Sequence, residues 1–124
     1  MKTEEAFRGT WTITEMEVWD RDAFELLGRA FFEFDGKGSG RFRFIAVEGW
    51  MDCRFGTRDG KPLVEFSWNG RDENHPATGR GWAVVEGEVM VGRIFLHLGD
   101  DSSFQAARGP AGAAAGTRRS RRRT

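Results

Sequence analysis

The side chains best suited to chemistry in this sequence are Asp52, Glu65, His97 and Arg93, which lie in regularly alternating segments. The first three could act as acid and general base if they converged, with the arginine holding a carboxylate. Their neighbours in sequence are apolar, so the opposite face of each segment is apolar. Burying a large apolar side chain stabilises by about 1.5–3 kcal/mol, whereas burying an unpaired charge is costly. We therefore expect these polar side chains to face solvent, and an enzyme is the least favoured function.

Metal and thiol chemistry find little support in the sequence. His75 and His97 are the two histidines, and they lack the regular spacing of zinc ligands. Asp100 and Asp101 lie in a predicted turn without the spaced oxygen ligands of a calcium loop. Cys53 is the single cysteine, and its apolar neighbours on the same strand face predict a buried, inert thiol with a raised pKa. We expect no metal and no other cofactor.

Short aromatic-rich segments separated by glycine-containing turns define the predicted architecture. Their alternation of apolar and polar residues is typical of half-buried strands, and Asp59-Gly60 favours a hairpin turn. Consecutive strands with short turns predict an all-β fold: a single antiparallel meander barrel of about eight strands with one short helix. A two-sheet β-sandwich is the alternative. The predicted strands cover residues 8–19, 29–35, 41–48, 50–56, 63–69, 80–86, 89–98 and 103–108, and the helix covers about 22–27.

The inward lining is predicted from strands with one clearly apolar face, while the inward direction of the first and fourth strands stays open. The predicted lining consists of Phe42, Phe44, Phe66, Trp68, Ile94, Leu96 and Leu98. Gly49 is predicted to separate the third strand from the fourth, as a bulge or tight corner. Residues 69–79 are predicted to form the longest irregular loop, because they are rich in glycine, aspartate and asparagine. Such a loop either carries function or is an ordinary solvated connection.

Gly9-Thr10-Trp11, in the first predicted strand, resembles the G-x-W signature of the calycin superfamily, which includes lipocalins and fatty-acid-binding proteins. The resemblance implies a tryptophan packed across the closed end of a barrel, with an arginine from a late strand beside it. Arg93 or Arg108 would take that part. It also implies a small hydrophobic or amphipathic ligand, and the candidate ligand-binding residues are Trp11, Phe42, Phe44, Phe66, Trp68 and Arg93. The wider pattern, including residues 48–53 and 99–102, resembles short bacterial proteins of unassigned function.

Charge divides the chain into an acidic body and a basic tail, although the 124 residues carry no net charge. Residues 1–108 are predicted to form the compact domain and carry a net charge of −5. Residues 109–124 contain five arginines and little that could enter a core, so we expect a disordered arginine-rich tail. The tail would contact nucleic acid only nonspecifically, because the acidic body repels phosphates. No segment predicts a membrane span, and a cytoplasmic location is expected.

Two functions from different classes remain open. The first is a non-catalytic barrel that binds a small apolar ligand, which requires an internal cavity. The second is a protein-interaction or self-association module with a filled core, which would include a homodimer. Aromatic residues expected on the outer face favour the second function, because exposed apolar patches mark interfaces. These residues are Trp19, Phe31, Trp50 and Phe95.

Overall fold

The computed structural model describes residues 3–109, which fold into one closed barrel. Its elements are α1 (Thr3–Phe7), β1 (Gly9–Met16), α2 (Arg21–Phe24), β2 (Phe31–Phe34), β3 (Ser39–Phe44), β4 (Val47–Arg58), β5 (Lys61–Asp72), β6 (His75–Glu86), β7 (Val89–Leu96) and β8 (Asp101–Arg108). All neighbouring strands are antiparallel and follow sequence order, and β8 closes the barrel on β1. The predicted all-β meander barrel is confirmed, and closure excludes the two-sheet sandwich.

The described residues end at Gly109, beside β1. The predicted tail over residues 109–124 lies outside the described residues, apart from Gly109. Gly109 is held to β1, because its backbone N–H donates to the Thr10 carbonyl at 2.7 Å and its carbonyl accepts from Thr12 Oγ1. Within residues 3–109, no helix is long and apolar enough to cross a membrane.

Aromatic rings pack against one another across the barrel interior. Phe32 stacks on Phe104 with ring centroids 4.5 Å apart. Phe42 contacts Phe32 at 5.4 Å and the edge of Trp68 at 5.1 Å. Large aromatic side chains bury about 150–250 Å² each, so these contacts contribute much of the stability of the fold. Most of the predicted lining is confirmed as buried: Phe42, Phe44, Phe66, Trp68 and Ile94.

Gly49 does not separate two strands, and this prediction was wrong. It lies within β4 and pairs with Phe42 on one side and Gly70 on the other. A Cβ at Gly49 would lie 2.5 Å from two atoms of the Phe42 ring, so the glycine makes room for that ring in the core. The turn between β3 and β4 falls earlier, at Ile45 and Ala46.

Residues 69–79 do not form an irregular loop. They make the end of β5, a two-residue turn at Glu73 and Asn74, and the start of β6, with Asp72 paired to His75. The glycines that suggested a loop serve close strand pairing instead. A Cβ at Gly70 would overlap the Glu48 carbonyl, and the residue is glycine for that reason.

Leu98 is the one residue of the predicted lining that the structure places outside the barrel. Strand β7 ends at Leu96, which is partly buried against the core, and Leu98 follows in the turn to β8 with 96% of its surface exposed. The alternation of apolar and polar residues in β7 continues into this turn. The strand predicted from the sequence is therefore two residues longer than β7.

The two ends of the barrel differ in how they are covered. Helix α1, absent from the sequence prediction, covers one end through the buried Ala6 and Phe7. This end also carries the β2–β3, β4–β5 and β6–β7 turns, and we call it the α1 end. Helix α2 covers the opposite end with buried Phe24, and its N-cap Asp20 accepts a hydrogen bond from Ala23 N at 3.0 Å. The β3–β4, β5–β6 and β7–β8 turns share this α2 end.

Candidate functional site

The four polar residues with catalytic potential do not converge. Asp52, Glu65 and His97 are exposed, as expected, and Arg93 lies on the outer wall. Asp52 and Glu65 line one groove across β4–β6, whereas His97 lines another at the α2 end. The acid, the base and the guanidinium therefore cannot act on one substrate atom in this arrangement.

Arg93 is held by two carboxylates on the outer wall. Its Nε donates to Asp101 Oδ2 at 2.7 Å, and its Nη2 lies 3.1 Å from Glu17 Oε1. The hydrogen bond to Asp101 raises the pKa of this guanidinium above its ordinary value. The structure thus separates Arg93 from the other predicted ligand-binding residues, which all lie in the core: Trp11, Phe42, Phe44, Phe66 and Trp68.

Trp11 is buried at the α1 end of the barrel, and Arg108 rather than Arg93 lies beside it. The Arg108 guanidinium lies 4.2 Å from the centroid of the Trp11 ring, in cation–π geometry. Its Nη2 donates to the Ala6 carbonyl at 2.7 Å, and Trp11 Nε1 donates to the Phe7 carbonyl at 2.8 Å. These two hydrogen bonds therefore hold α1 against the α1 end of the barrel.

A groove at the α2 end brings charged and apolar side chains together. It lies between the β5–β6 and β7–β8 turns and has a volume of about 640 Å³. The groove is open to solvent and combines carboxylates, imidazoles and apolar surface. We call it the acidic groove, and its lining is Asp72, Glu73, His75, Pro76, Ala77, Thr78, Leu96, His97 and Gly99.

The carboxylates of this groove are available for ion pairing with a cation. Among residues 3–109, Asp72, Glu73 and the nearby Asp100 form no ion pair. Arg71, the closest arginine in sequence, is directed to Glu48 Oε1 at 2.8 Å. No group of three or more histidine, cysteine, aspartate or glutamate side chains within the described part of the chain is arranged to hold a metal ion. Asp72 and Glu73 thus offer two carboxylates for ion pairing with a positively charged group.

The acid excess of the whole barrel lies at the α2 end. Counting each connection with the strand residues that flank it, this end has eight acidic residues against two arginines, whereas the α1 end has six against five basic residues. The rest of residues 3–109 is nearly balanced. Such an uneven distribution creates a local negative potential that attracts cationic partners.

Exposed apolar side chains gather at the same end. Val18, Leu26, Leu27 and Leu98 have between 47% and 96% of their surface exposed. All four lie in the connections β1–β2 and β7–β8 at the α2 end. An acidic surface with exposed aliphatic side chains is suited to a segment that is basic and partly apolar.

Residues other than glycine adopt left-handed backbone angles more often at the α2 end than at the α1 end. Ile45, Glu73 and Leu98 have φ values of 55°, 57° and 59°, in the left-handed region that glycine adopts without strain. The α1 end has one such residue, Asp59 at φ 53°, and the next position of that turn is glycine, Gly60. Strained side chains persist where a structure or a function requires them. The side chains of Glu73 and Leu98 are solvent-exposed, so packing does not explain them.

A second groove, on the outer wall, has a mixed charge. It measures about 440 Å³ and is lined by Asp52, Arg54, Glu65, Arg80 and Trp82, among others. Arg54 is already paired with Asp52 at 2.7 Å, and the Arg80 guanidinium covers the Phe95 ring at 4.6 Å. Its charged groups thus largely satisfy one another or the wall, and it is a useful control surface for the acidic groove.

The sequence prediction for Cys53 is confirmed, whereas the acidic groove was missed. Burial is the main cause that raises the pKa of the Cys53 thiol to about 12, with smaller contributions from Asp52 and Asp35. The thiol is therefore protonated and inert at neutral pH. The groove residues looked like solvated turns, because their closeness depends on the register of β5, β6 and β7. The signal in the sequence was the pair of polar segments at residues 72–76 and 97–101.

The fold and site together define a class: a closed eight-stranded antiparallel meander barrel with an aromatic core and an acidic groove at one end. The chain matches no protein-family model, no curated protein and no solved structure.

Proposed function

We propose that this protein is a non-catalytic interaction module that holds a basic, partly apolar polypeptide segment in the acidic groove. The observation that carries the proposal is the coincidence, at one barrel end, of unpaired Asp72 and Glu73 with the exposed side chain of Leu98. The barrel would hold the α2 end in place, and binding a segment there would involve no chemical reaction. The single free and buried cysteine suits the cytoplasmic location that we propose with it.

Binding would result from several weak interactions, namely exposed ion pairs and apolar contacts. An exposed ion pair contributes about 0.2–1 kcal/mol, so two or three pairs with arginine or lysine give up to about 3 kcal/mol. The aliphatic stems of these side chains would cover Leu96 and Pro76, and a leucine-sized group would contact Leu98. Together these terms give a dissociation constant of about 0.1 mM, equivalent to about 5.5 kcal/mol. Salt should weaken the binding, since exposed charges are screened over about 8 Å at physiological ionic strength.

A calycin-like identity is the second part of the proposal. The Trp11–Arg108 pair at the end covered by α1 supports it, because this is the arrangement that the Gly9-Thr10-Trp11 segment implied. A small apolar ligand inside the barrel stays a prediction. Such a ligand would have to displace packed rings such as Phe32 and Phe42, which are fully buried and in mutual contact. The geometry therefore favours the outer end over the interior as the binding surface.

A peptide titration tests the interaction proposal. The probe is a fluorescein-labelled peptide of alternating arginine and leucine, followed by fluorescence anisotropy at 20 mM and 150 mM salt. In a chain whose tail arginines are replaced by glutamine, so that the tail cannot compete, the variant Asp72→Asn with Glu73→Gln should weaken binding at least fivefold, because it removes both groove carboxylates. The matched control Asp52→Asn with Glu65→Gln removes the same charge from the outer wall and should change affinity less than twofold. Equal losses in the two variants would show nonspecific attraction and overturn the proposal.

A further inference from the structure

The strongest remaining feature of the sequence is its arginine cluster, which lies outside the residues that the structure describes. Arg118, Arg119, Arg121, Arg122 and Arg123 place five positive charges within six residues. We propose that this cluster is an intramolecular occupant of the acidic groove and so competes with the outside partner. The inference rests on the proposed function and adds the regulation of the same site.

Charge complementarity between the tail and one end of the barrel is the first argument. The α2 end carries eight acidic residues against two arginines, while the remainder of residues 3–109 holds equal numbers of acidic and basic residues. With Arg93, which pairs with Glu17 and Asp101, counted at this end, the excess is five negative charges, which equals the five arginines of the tail. The guanidinium group suits this site, because it forms bidentate hydrogen bonds with carboxylates such as Asp72 and Glu73.

Reach is the second argument. Strand β8 runs from Asp101 at the α2 end to Arg108 at the α1 end, which is about 24 Å along the strand at about 3.4 Å per residue. Gly109, the last residue that the structure describes, is hydrogen-bonded to β1 at the α1 end. Nine residue steps from Gly109 to Arg118 span at most about 30 Å. The first arginine therefore reaches the α2 end of its own barrel, and the following ones extend over the groove.

Tethering makes a weak contact effective. A nine-residue linker with random-coil dimensions would have an end-to-end distance of about 15–18 Å, somewhat less than the span, and would give a local tail concentration on the order of 1 mM. If the free segment binds with a dissociation constant of about 0.1–0.5 mM, as for the outside peptide, the tail occupies the groove most of the time. The affinity for an outside partner then falls by about three- to tenfold.

Neutralising the tail in the full-length chain tests this inference. In the test variant, all five tail arginines become glutamine; in the control, Ala113, Ala114 and Ala115 become glutamine, which keeps the charge. We expect the neutralised tail to bind the labelled arginine–leucine peptide about three- to tenfold more tightly at 20 mM salt, and the control to match the native chain. The backbone amide resonances of Glu73 and Leu98 should also shift between the native and neutralised chains, while those of Gly60 and Gly87 should not.

The outcomes separate the tail proposal from the function it rests on. Equal peptide affinity of the native and neutralised chains would overturn the tail proposal and leave the groove as a binding site. Absence of peptide binding to the neutralised chain would overturn the proposed function as well. A tail effect that vanishes on tenfold dilution of the protein would show occupation by a second copy, and would overturn the intramolecular form.

Discussion

Replacing Leu98 by glycine should stabilise the barrel, although it removes a large apolar side chain. At φ 59° an L-residue carries a left-handed strain of about 1–2 kcal/mol, which glycine lacks. Because 96% of the Leu98 surface is exposed, truncation loses almost no buried area. The greater freedom of glycine in the unfolded chain costs about 0.5–1 kcal/mol. The net gain is about 0.5–1 kcal/mol, or a rise in Tm of about 2–6 °C for a domain of this size.

Thermal and urea unfolding followed by tryptophan fluorescence would measure the gain. Leu98→Ala is the matched control: it removes the same side chain but keeps the strained backbone, so its stability should stay within about 0.5 kcal/mol of the native chain. The peptide affinity of both variants should fall about two- to threefold, because both lose the contact with Leu98. A Tm of Leu98→Gly below that of Leu98→Ala would refute the assignment of strain to this turn.

Three further changes test the packing of the barrel. Gly49→Ala should lower the free energy of unfolding in urea by about 1–3 kcal/mol, because its Cβ meets the Phe42 ring. Gly56→Ala, with open space around it, is the control, and equal losses of stability in the two variants would contradict this packing. Arg108→Ala should cost about 2 kcal/mol through its lost carbonyl and cation–π contacts; Arg108→Lys should recover only part, and full recovery would contradict the stacked geometry. Because the pKa of Cys53 is about 12 in the fold and about 9 unfolded, only the unfolded state ionises between these values and stability falls as pH rises. The native chain should therefore lose about 1 kcal/mol more than Cys53→Ala between pH 8 and pH 10, and parallel pH profiles would contradict the buried thiol.

The alternation of apolar and polar residues along the strands was the feature of the sequence that predicted the fold. It identified the inward faces at Phe42 and Phe66, because burial of apolar side chains dominates the energetics of half-buried strands. The prediction of a loop from glycine content was wrong at Gly70 and Gly79, where glycine allows neighbouring strands to approach closely and does not end the strand. Helix α1 was missed because its five residues are too few for a periodic pattern.

The candidate site could be predicted only in its parts. Asp72 and His97 were each visible as polar residues near predicted turns, but they are 25 positions apart in sequence. Their approach depends on the pairing of β6 with β5 and β7, which no local pattern specifies. The strain at Glu73 was equally hidden, since a positive φ at a residue other than glycine follows from the turn geometry imposed by the surrounding sheet.

Chemical-shift mapping of the arginine–leucine peptide on the ¹⁵N-labelled chain tests the central claim most directly. We predict that saturating peptide shifts the amide resonances of residues 72–75 and 97–100, and leaves those of Gly60 and Gly87 at the opposite end unchanged. Shifts that cluster instead at the core residues Phe42 and Phe66, or along the outer wall at Arg54, would contradict a binding surface at the α2 end.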